Sequence, residues 1–148
     1  MSIEDDVALL ERVPTLRLLG HEALRNLAFG TEQRDVARGD SLFLAGETAD
    51  SGFVVRSGSF RVSAGDGSPD ELVAGPGALI GELALIVPMQ RPSSATALEY
   101  SSTLRISRSL FQRVLESHPD AAVRLRDAFA VRTSQAASEI LLIGAKLS

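Results

Sequence analysis

The sequence predicts a mainly β fold that carries helices at both ends. Two observations support this class. Between about residues 31 and 106 a glycine arrives every few residues, and the segments between the glycines are rich in β-forming side chains. Before this region, and again after it, apolar residues recur at three- and four-residue spacing, which is typical of amphipathic helices.

The first 30 residues are predicted to form two or three short helices, separated at Pro14 and Gly20. The apolar positions with helical spacing are Ile3, Val7, Leu10, Leu16, Leu19, Leu24 and Leu27. The first helix starts with Glu4, Asp5 and Asp6, where negative charges interact favourably with the positive end of the helix dipole.

Residues 31–106 are predicted to form a sandwich or a barrel, because their short strands are separated by regular turn signals. The candidate strand segments are DSLFLAG, SGFVVRSG, SFRVSAG, ELVAGPG, SATALEY and STLRIS. SFRVS alternates apolar and polar residues, as a half-buried strand does. The segment GDGSPD, residues 65–70, is too polar and too rich in turn residues for a core, and it predicts a hairpin tip.

Residues 107–148 are predicted to be helical again. Ser107 is a suitable N-cap for the first helix of this region. The apolar face of that helix contains Leu110, Phe111, Val114 and Leu115. Pro119 suits the first turn of a second helix, whose pattern continues to a stop at Gly144.

Composition narrows the function classes. The 148 residues correspond to a single domain, 1–148, and an apolar content of 45% is enough for a core. A net charge of −4 argues against nucleic-acid binding, and no apolar run approaches the ~18–20 residues of a membrane span. The chain has no cysteine and its acidic start differs from a secretory signal, so a cytoplasmic location is expected.

We expect no enzymatic activity, no metal and no other cofactor. His21 and His118 have no companion residue at metal-ligand spacing. Ser93, Ser94 and Ser101 have no evident general base that would make one of them a nucleophile.

The stretch GELALIVPMQRPSSATA, residues 81–97, carries the best candidate chemistry. A helical turn that starts at Glu82, after the flexible Gly81, would direct its first N–H groups at an anion. Arg91 would add forked donors that match phosphate oxygens, and Glu82 would accept from a neutral donor such as a sugar hydroxyl. This chemistry describes a sugar-phosphate pocket. A simple surface ion pair between Glu82 and Arg91 is the alternative, and spacing alone does not separate the two.

GELALI followed by an arginine resembles the phosphate-binding cassette of cyclic nucleotide-binding domains, which occur in protein kinase A regulatory subunits, cyclic-nucleotide-gated channels and bacterial catabolite activator proteins. FLAGETADSGFVVRSGSFRV and STLRISRSLFQRVLESHP are similar to other parts of the family pattern. The resemblance covers roughly residues 10–135. It implies a β jelly-roll (double-stranded β-helix) barrel at 31–106 that contains the cassette at 75–97, with N-terminal helices at 1–30 and two C-terminal helices in 107–148.

The resemblance implies a role for each matching cassette residue. Gly81 would permit the tight turn, and Glu82 would accept a hydrogen bond from the ribose 2′-OH. Leu83 and Ala84 would offer backbone N–H groups to the cyclic phosphate. Arg91 would pair with the exocyclic oxygens of that phosphate.

The chain departs from the family pattern directly after the arginine. The residue at this position usually donates a backbone N–H to the phosphate, but Pro92 has none, and Ser93 would have to compensate. A threonine here is associated with guanine preference in the family, so Pro92 favours cAMP over cGMP as the ligand. Ser93 and Ser94 would begin the strand that lines the pocket, with Ser94 at a position where threonine is frequent.

The resemblance leaves the cover of the purine base open. Phe129 or the apolar patch Ile140–Ile143 would close over the base. Alternatively, Phe129 packs on the barrel and the patch forms a homodimer contact through the C-terminal helix. Leu72 and Val73 would line the base side of the pocket or belong to the core.

The implied function is a stand-alone sensor that binds a cyclic nucleotide and moves its C-terminal helix, a movement that an unidentified effector protein detects. About 28 residues follow Asp120, too few for a helix-turn-helix unit and its connecting helix, so we expect no nucleic-acid partner and no membrane partner. The starting Met favours a self-contained protein over a fragment of a channel or kinase. The alternative function is a degenerate domain that acts as a protein–protein interaction module without nucleotide, which Pro92 supports.

Overall fold

The computed structural model describes residues 2–128 and 130. Three helices open the chain: α1 (Ile3–Glu11), α2 (Pro14–Arg17) and α3 (His21–Gly30). The N-cap of α1 is Ser2, which forms a capping box with Asp5, and Pro14 occupies the first turn of α2. Gly20 precedes α3 with φ +84°, a conformation that favours glycine. The short N-terminal helices predicted from the sequence are confirmed.

In the part of the chain that the structure describes, ten strands follow, and every pair is antiparallel. They are β1 (Glu32–Val36), β2 (Ser41–Phe43), β3 (Thr48–Ala49), β4 (Ser51–Ser57), β5 (Phe60–Ala64), β6 (Glu71–Ala74), β7 (Leu79–Ile80), β8 (Met89–Gln90), β9 (Ser93–Ala97) and β10 (Ser101–Ser107). Two four-stranded sheets have the orders β1-β10-β4-β7 and β2-β9-β5-β6, and β3 pairs with β8. Together with the flanking helices these sheets form the predicted jelly-roll fold.

The core has two parts, which meet at the sheet that contains β4. One part lies inside the barrel, where Phe53 and Val55 of β4 pack with Phe43 and Phe60 of the opposite sheet. The other lies between the barrel and the helices and takes Val54 from β4. The apolar run in SGFVVRSG is therefore continuous because both faces of β4 are buried.

Helix α4 (Arg108–Ser117) follows β10 directly. Its N-cap is Ser107, whose hydroxyl accepts from the Leu110 N–H at 3.1 Å, as the sequence predicts. Residues 119–128 are helical after a break at His118, and the predicted continuation to Gly144 lies outside the described residues. The hairpin tip at 65–70 is confirmed between β5 and β6.

Candidate ligand-binding site

A cavity of about 420 Å³ opens in the barrel beside the stretch that the sequence analysis singled out. Its wall includes most of the predicted site: Gly81, Glu82, Leu83, Ala84, Arg91, Pro92 and Ser93. Phe43 of β2 and the apolar residues Leu72, Val73 and Ala74 of β6 also line the cavity. This size and this largely apolar lining, with a few convergent polar groups, are typical of small-molecule sites.

Gly81 sets up the turn that forms one wall of the cavity. Its φ of +81° places it in the left-handed region, and it precedes a 3-10 turn at Glu82–Leu85. A Cβ at this position would lie 2.5 Å from Nη1 of Arg91, so the backbone and the guanidinium are in close contact. Within the turn the Ala84 N–H donates to the Gly81 carbonyl at 3.2 Å, so it could reach a phosphate only by sharing or breaking that bond.

The side chain of Arg91 is turned inward and only 6% exposed. The Arg91 N–H donates to the Glu47 carbonyl at 2.7 Å, and its own carbonyl accepts from the Gly46 N–H at 2.8 Å. These two bonds fix the backbone from which the side chain enters the barrel. The guanidinium donates to the Ser51 hydroxyl at 3.3 Å and lies 4.2 Å from the ring centroid of Phe43.

No carboxylate neutralises this buried cation within the described residues, because none lies within ion-pair distance of Arg91. Burial lowers the pKa of Arg91 below its ordinary value, although the charges of Asp50 and Glu47 act in the opposite direction. Arginine stays protonated at neutral pH despite such a shift. The cavity wall therefore carries a positive charge, and the alternative of a surface pair between Glu82 and Arg91 does not match this geometry.

Glu82 also lines the cavity, and its carboxylate contacts the N-terminal helices. The Thr15 hydroxyl, in α2, donates to Oε1 of Glu82 at 2.5 Å. A carboxylate oxygen has two lone pairs, so this bond leaves the group able to accept further donors. The hydrogen bond connects the cassette turn to α2, a link that the sequence reasoning did not foresee because 67 positions separate the two residues.

Two of the three residues after Arg91 line the cavity, and the third does not. Pro92 lines the cavity, and its carbonyl accepts from the Gly65 N–H at 3.0 Å, which ties the hairpin to the cassette. Ser93 lines the cavity and is half-buried. The hydroxyl of Ser94 accepts from the Ala45 N–H at 2.8 Å, and Ser94 is not among the lining residues.

Residues 33–118 match the family model of the cyclic nucleotide-binding domain. The chain belongs to the cyclic nucleotide-binding domain family. One similar solved structure is the N-terminal domain of a transcriptional regulator from Streptomyces coelicolor A3(2). It matches with a TM-score of 0.80 and 32% identity, over 89% of this chain and 94% of that chain.

The curated relatives of this chain are longer proteins, and the chain matches only a part of each. An uncharacterized NTE family protein from Mycobacterium tuberculosis is 36% identical over 110 residues, which are 74% of this chain and 19% of that protein. A cyclic nucleotide-gated potassium channel from Mesorhizobium japonicum is 32% identical over 130 residues, which are 88% of this chain and 36% of that protein. The chain thus spans a fifth to about a third of the length of these relatives.

The cavity wall that the sequence analysis assigned to the base is apolar, and its side chains are exposed. Leu72 and Val73 of β6 line the cavity and are 62% and 65% exposed, and Leu83 of the cassette turn is 55% exposed. Phe129 and Ile140–Ile143, the predicted covers of the base, lie outside the described residues. No helix in the described ranges, 2–128 and 130, is long and apolar enough to cross a membrane.

Arg108 joins the cassette to the helix that follows the barrel. Its Nε donates to the Ala84 carbonyl at 2.8 Å, and its Nη2 donates to the Ala49 carbonyl at 2.5 Å. The sequence reasoning assigned Arg108 no role in the site. The available signal was its position one residue after the N-cap Ser107, at the junction of barrel and helix.

Proposed function

We propose that this domain binds a cyclic nucleotide in the barrel cavity, with cAMP preferred to cGMP, and that binding changes the position of the helices after the barrel. The observation that carries the proposal is the buried guanidinium of Arg91, which faces a cavity of ligand size without a carboxylate partner among the described residues. A buried charge is costly without a partner, and an anionic ligand would supply one.

The cavity offers a matching group for each part of a cyclic nucleotide. Arg91 would hold the exocyclic phosphate oxygens through its forked donors. The carboxylate of Glu82 would accept from the ribose 2′-OH while it keeps the bond from Thr15. The purine would lie against the apolar side chains of Leu72 and Val73, which line the same cavity.

The expected affinity is in the micromolar range. A cyclic nucleotide has roughly twenty-odd heavy atoms, and at about −0.3 kcal/mol per atom the binding free energy is about −7 kcal/mol. Pro92 has no N–H to donate, and the Ala84 N–H is engaged within its turn, so the phosphate receives fewer backbone donors than the family pattern implies. Arg91 therefore supplies a large share of the phosphate affinity.

Pro92 also supports the preference for cAMP. It supplies no side-chain hydroxyl for the hydrogen-bonding edge of guanine, and the neighbouring β6 wall is apolar. An apolar wall provides no hydrogen-bond acceptor for the donors of guanine, so guanine gains no interaction there that adenine lacks.

Arg108 would transmit a change in the cassette turn to α4. Because it binds the Ala84 carbonyl and starts α4, a rearrangement of the cassette turn around the phosphate would shift the base of that helix. Ligand binding would then favour one of two helix positions, as a population shift. An effector protein would detect the difference.

The same observations on Pro92 and Ala84 favour a second candidate, an interaction module that has lost its nucleotide. Calorimetric titration separates the two functions. We expect cAMP to bind with a micromolar Kd and to raise the melting temperature, and cGMP to bind more weakly. Absence of binding at high micromolar cAMP would leave the interaction module.

Arg91→Ala should lower the cAMP affinity at least tenfold, because the loss of a buried charge partner costs about 2–5 kcal/mol. Arg61→Ala is a matched control, since Arg61 is an exposed arginine of β5 that does not line the cavity. Equal affinities for the two variants in the same titration would refute the role of Arg91.

A further inference from the structure

Two phenylalanine rings from opposite sheets lie close to the guanidinium of Arg91. Phe43 of β2 lies with its ring centroid 4.2 Å from the guanidinium carbon, and Phe53 of β4 lies at 5.7 Å. The two ring centroids are 6.0 Å apart. Phe43 is the closer ring and also lines the cavity, whereas Phe53 is buried in the barrel core.

This environment stabilises a cation without neutralising it. The face of an aromatic ring carries partial negative charge and attracts a guanidinium, but the ring has no net charge. The Ser51 hydroxyl, the hydrogen-bond partner of the guanidinium, is also neutral. A carboxylate in the same place would hold Arg91 equally well, but it would cancel the charge that an anionic ligand needs.

We propose that Phe43 is a positioning residue that holds the Arg91 guanidinium against the cavity wall and leaves its charge available, so that the cavity selects anionic ligands. The inference rests on the proposed function and deepens it, because it assigns the selectivity for a phosphate diester to an aromatic residue outside the cassette. Gly81 completes the arrangement, because a Cβ at this position would lie only 2.5 Å from Nη1 of Arg91.

The test variant is Phe43→Leu, which keeps an apolar side chain but removes the ring face. Phe60→Leu is the matched control, because Phe60 is buried in the same core cluster but is neither a cavity-lining residue nor a ring over Arg91. We expect Phe43→Leu to weaken cAMP binding about tenfold and Phe60→Leu to change it less than threefold. Phe43→Tyr, which restores the ring face, should recover most of the affinity.

A neutral ligand separates the electrostatic role from a structural one. The methyl phosphotriester of cAMP has the same base and sugar, but its phosphate group is uncharged. Phe43→Leu should lower the ratio of cAMP affinity to triester affinity about tenfold, whereas Phe60→Leu should leave that ratio unchanged. If Phe43→Leu weakens both ligands by the same factor, Phe43 has only a packing role and the inference is overturned.

A ligand-free measurement keeps this inference distinct from the proposed function. In ¹⁵N–¹H spectra of the arginine side chains, the Arg91 Nε–H signal, assigned by its loss in Arg91→Lys, should show a ring-current shift and slow exchange with water. Phe43→Leu should abolish both features, and Phe60→Leu should preserve them. If wild-type protein does not bind cAMP, the proposed function fails, and these spectra still decide whether Phe43 positions Arg91; unchanged spectra in Phe43→Leu overturn the inference.

Discussion

Arg91 is a buried cation whose hydrogen-bond partner is a serine hydroxyl instead of a carboxylate. Removing such a charge from water is costly. The contacts with Ser51 and Phe43 and the charges of Asp50 and Glu47 offset some of that cost, but no carboxylate forms an ion pair with Arg91 among the described residues. An anion in the cavity would supply the missing interaction, which is why this one residue carries the functional argument.

Gly81 offers a test at the same scale. Gly81→Ala should cost about 1–2 kcal/mol in the free energy of unfolding, because alanine is strained at φ +81°. It should also weaken cAMP binding at least tenfold. The new Cβ would lie only 2.5 Å from Nη1 of Arg91, so the guanidinium would have to move. Chemical denaturation and calorimetry would measure the two effects.

Gly67→Ala is the control for this experiment. Gly67 has a similar φ of +80°, but its Cβ would meet nothing within 4 Å, so the substitution adds backbone strain without touching the site. We expect a similar loss of stability and an unchanged cAMP affinity. Unchanged binding in Gly81→Ala would show that the close contact with Arg91 is not needed.

Among the structural elements, the cassette turn and α4 are joined by a side chain. Arg108 starts α4 and donates to the carbonyl of Ala84, and its other bond reaches Ala49 in β3. On the opposite side of the same turn, Thr15 of α2 donates to Glu82. A rearrangement of the four residues in the turn would thus change hydrogen bonds to α2, before the barrel, and to α4, after it.

Arg108→Ala should uncouple α4 from the cassette. In hydrogen exchange, cAMP should change the protection of both the cassette turn and α4 in the wild type, but of the cassette turn alone in Arg108→Ala. Removal of two hydrogen bonds from a charged donor should also cost about 2–4 kcal/mol of stability. Arg113→Ala, an exposed arginine of the same helix, should behave like the wild type. A ligand response in α4 that survives Arg108→Ala would contradict the coupling.

The elements that sequence reasoning found are those with local signals. Ser107, Pro14 and the hairpin tip each act within a few residues, and the continuous apolar run of β4 is visible as such. Strand β1, EQRDV, was not predicted, because four of its five residues are exposed and only Val36 is buried. Strand pairing with β10 defines it, and that pairing is not a local property.

The site residues also fall into two groups, those with a local sequence signal and those that only the tertiary fold brings to the site. Arg91 and Glu82 were found because the cassette is a contiguous stretch with recognisable chemistry. Ser51 and Thr15 were missed because they lie 40 and 67 positions from their partners, and only the tertiary fold brings them together. Ser94 was expected to begin the strand that lines the pocket. Its hydroxyl instead accepts a hydrogen bond from the backbone N–H of Ala45 in the neighbouring loop, which strand alternation alone does not determine.

In the molecule as a whole, the barrel core and the core beneath the helices lie on the two faces of one sheet, which contains β4. Strand β4 contributes Phe53 and Val55 to the barrel core and Val54 to the core beneath the helices. A shift of this strand would therefore change the packing of both cores. The net charge of −4 does not attract anions at long range. Salt screens exposed charges over about 8 Å at physiological ionic strength, so an anion in the barrel would interact mainly with the nearby charge of Arg91.

The most direct test of this account is a crystal structure of the domain with cAMP. We expect the cyclic phosphate inside the barrel with two exocyclic oxygens about 2.7–2.9 Å from the Arg91 guanidinium, the ribose 2′-OH on Glu82, and the ring of Phe43 still against Arg91. A nucleotide bound elsewhere, or a phosphate held without contact to Arg91, would contradict the account.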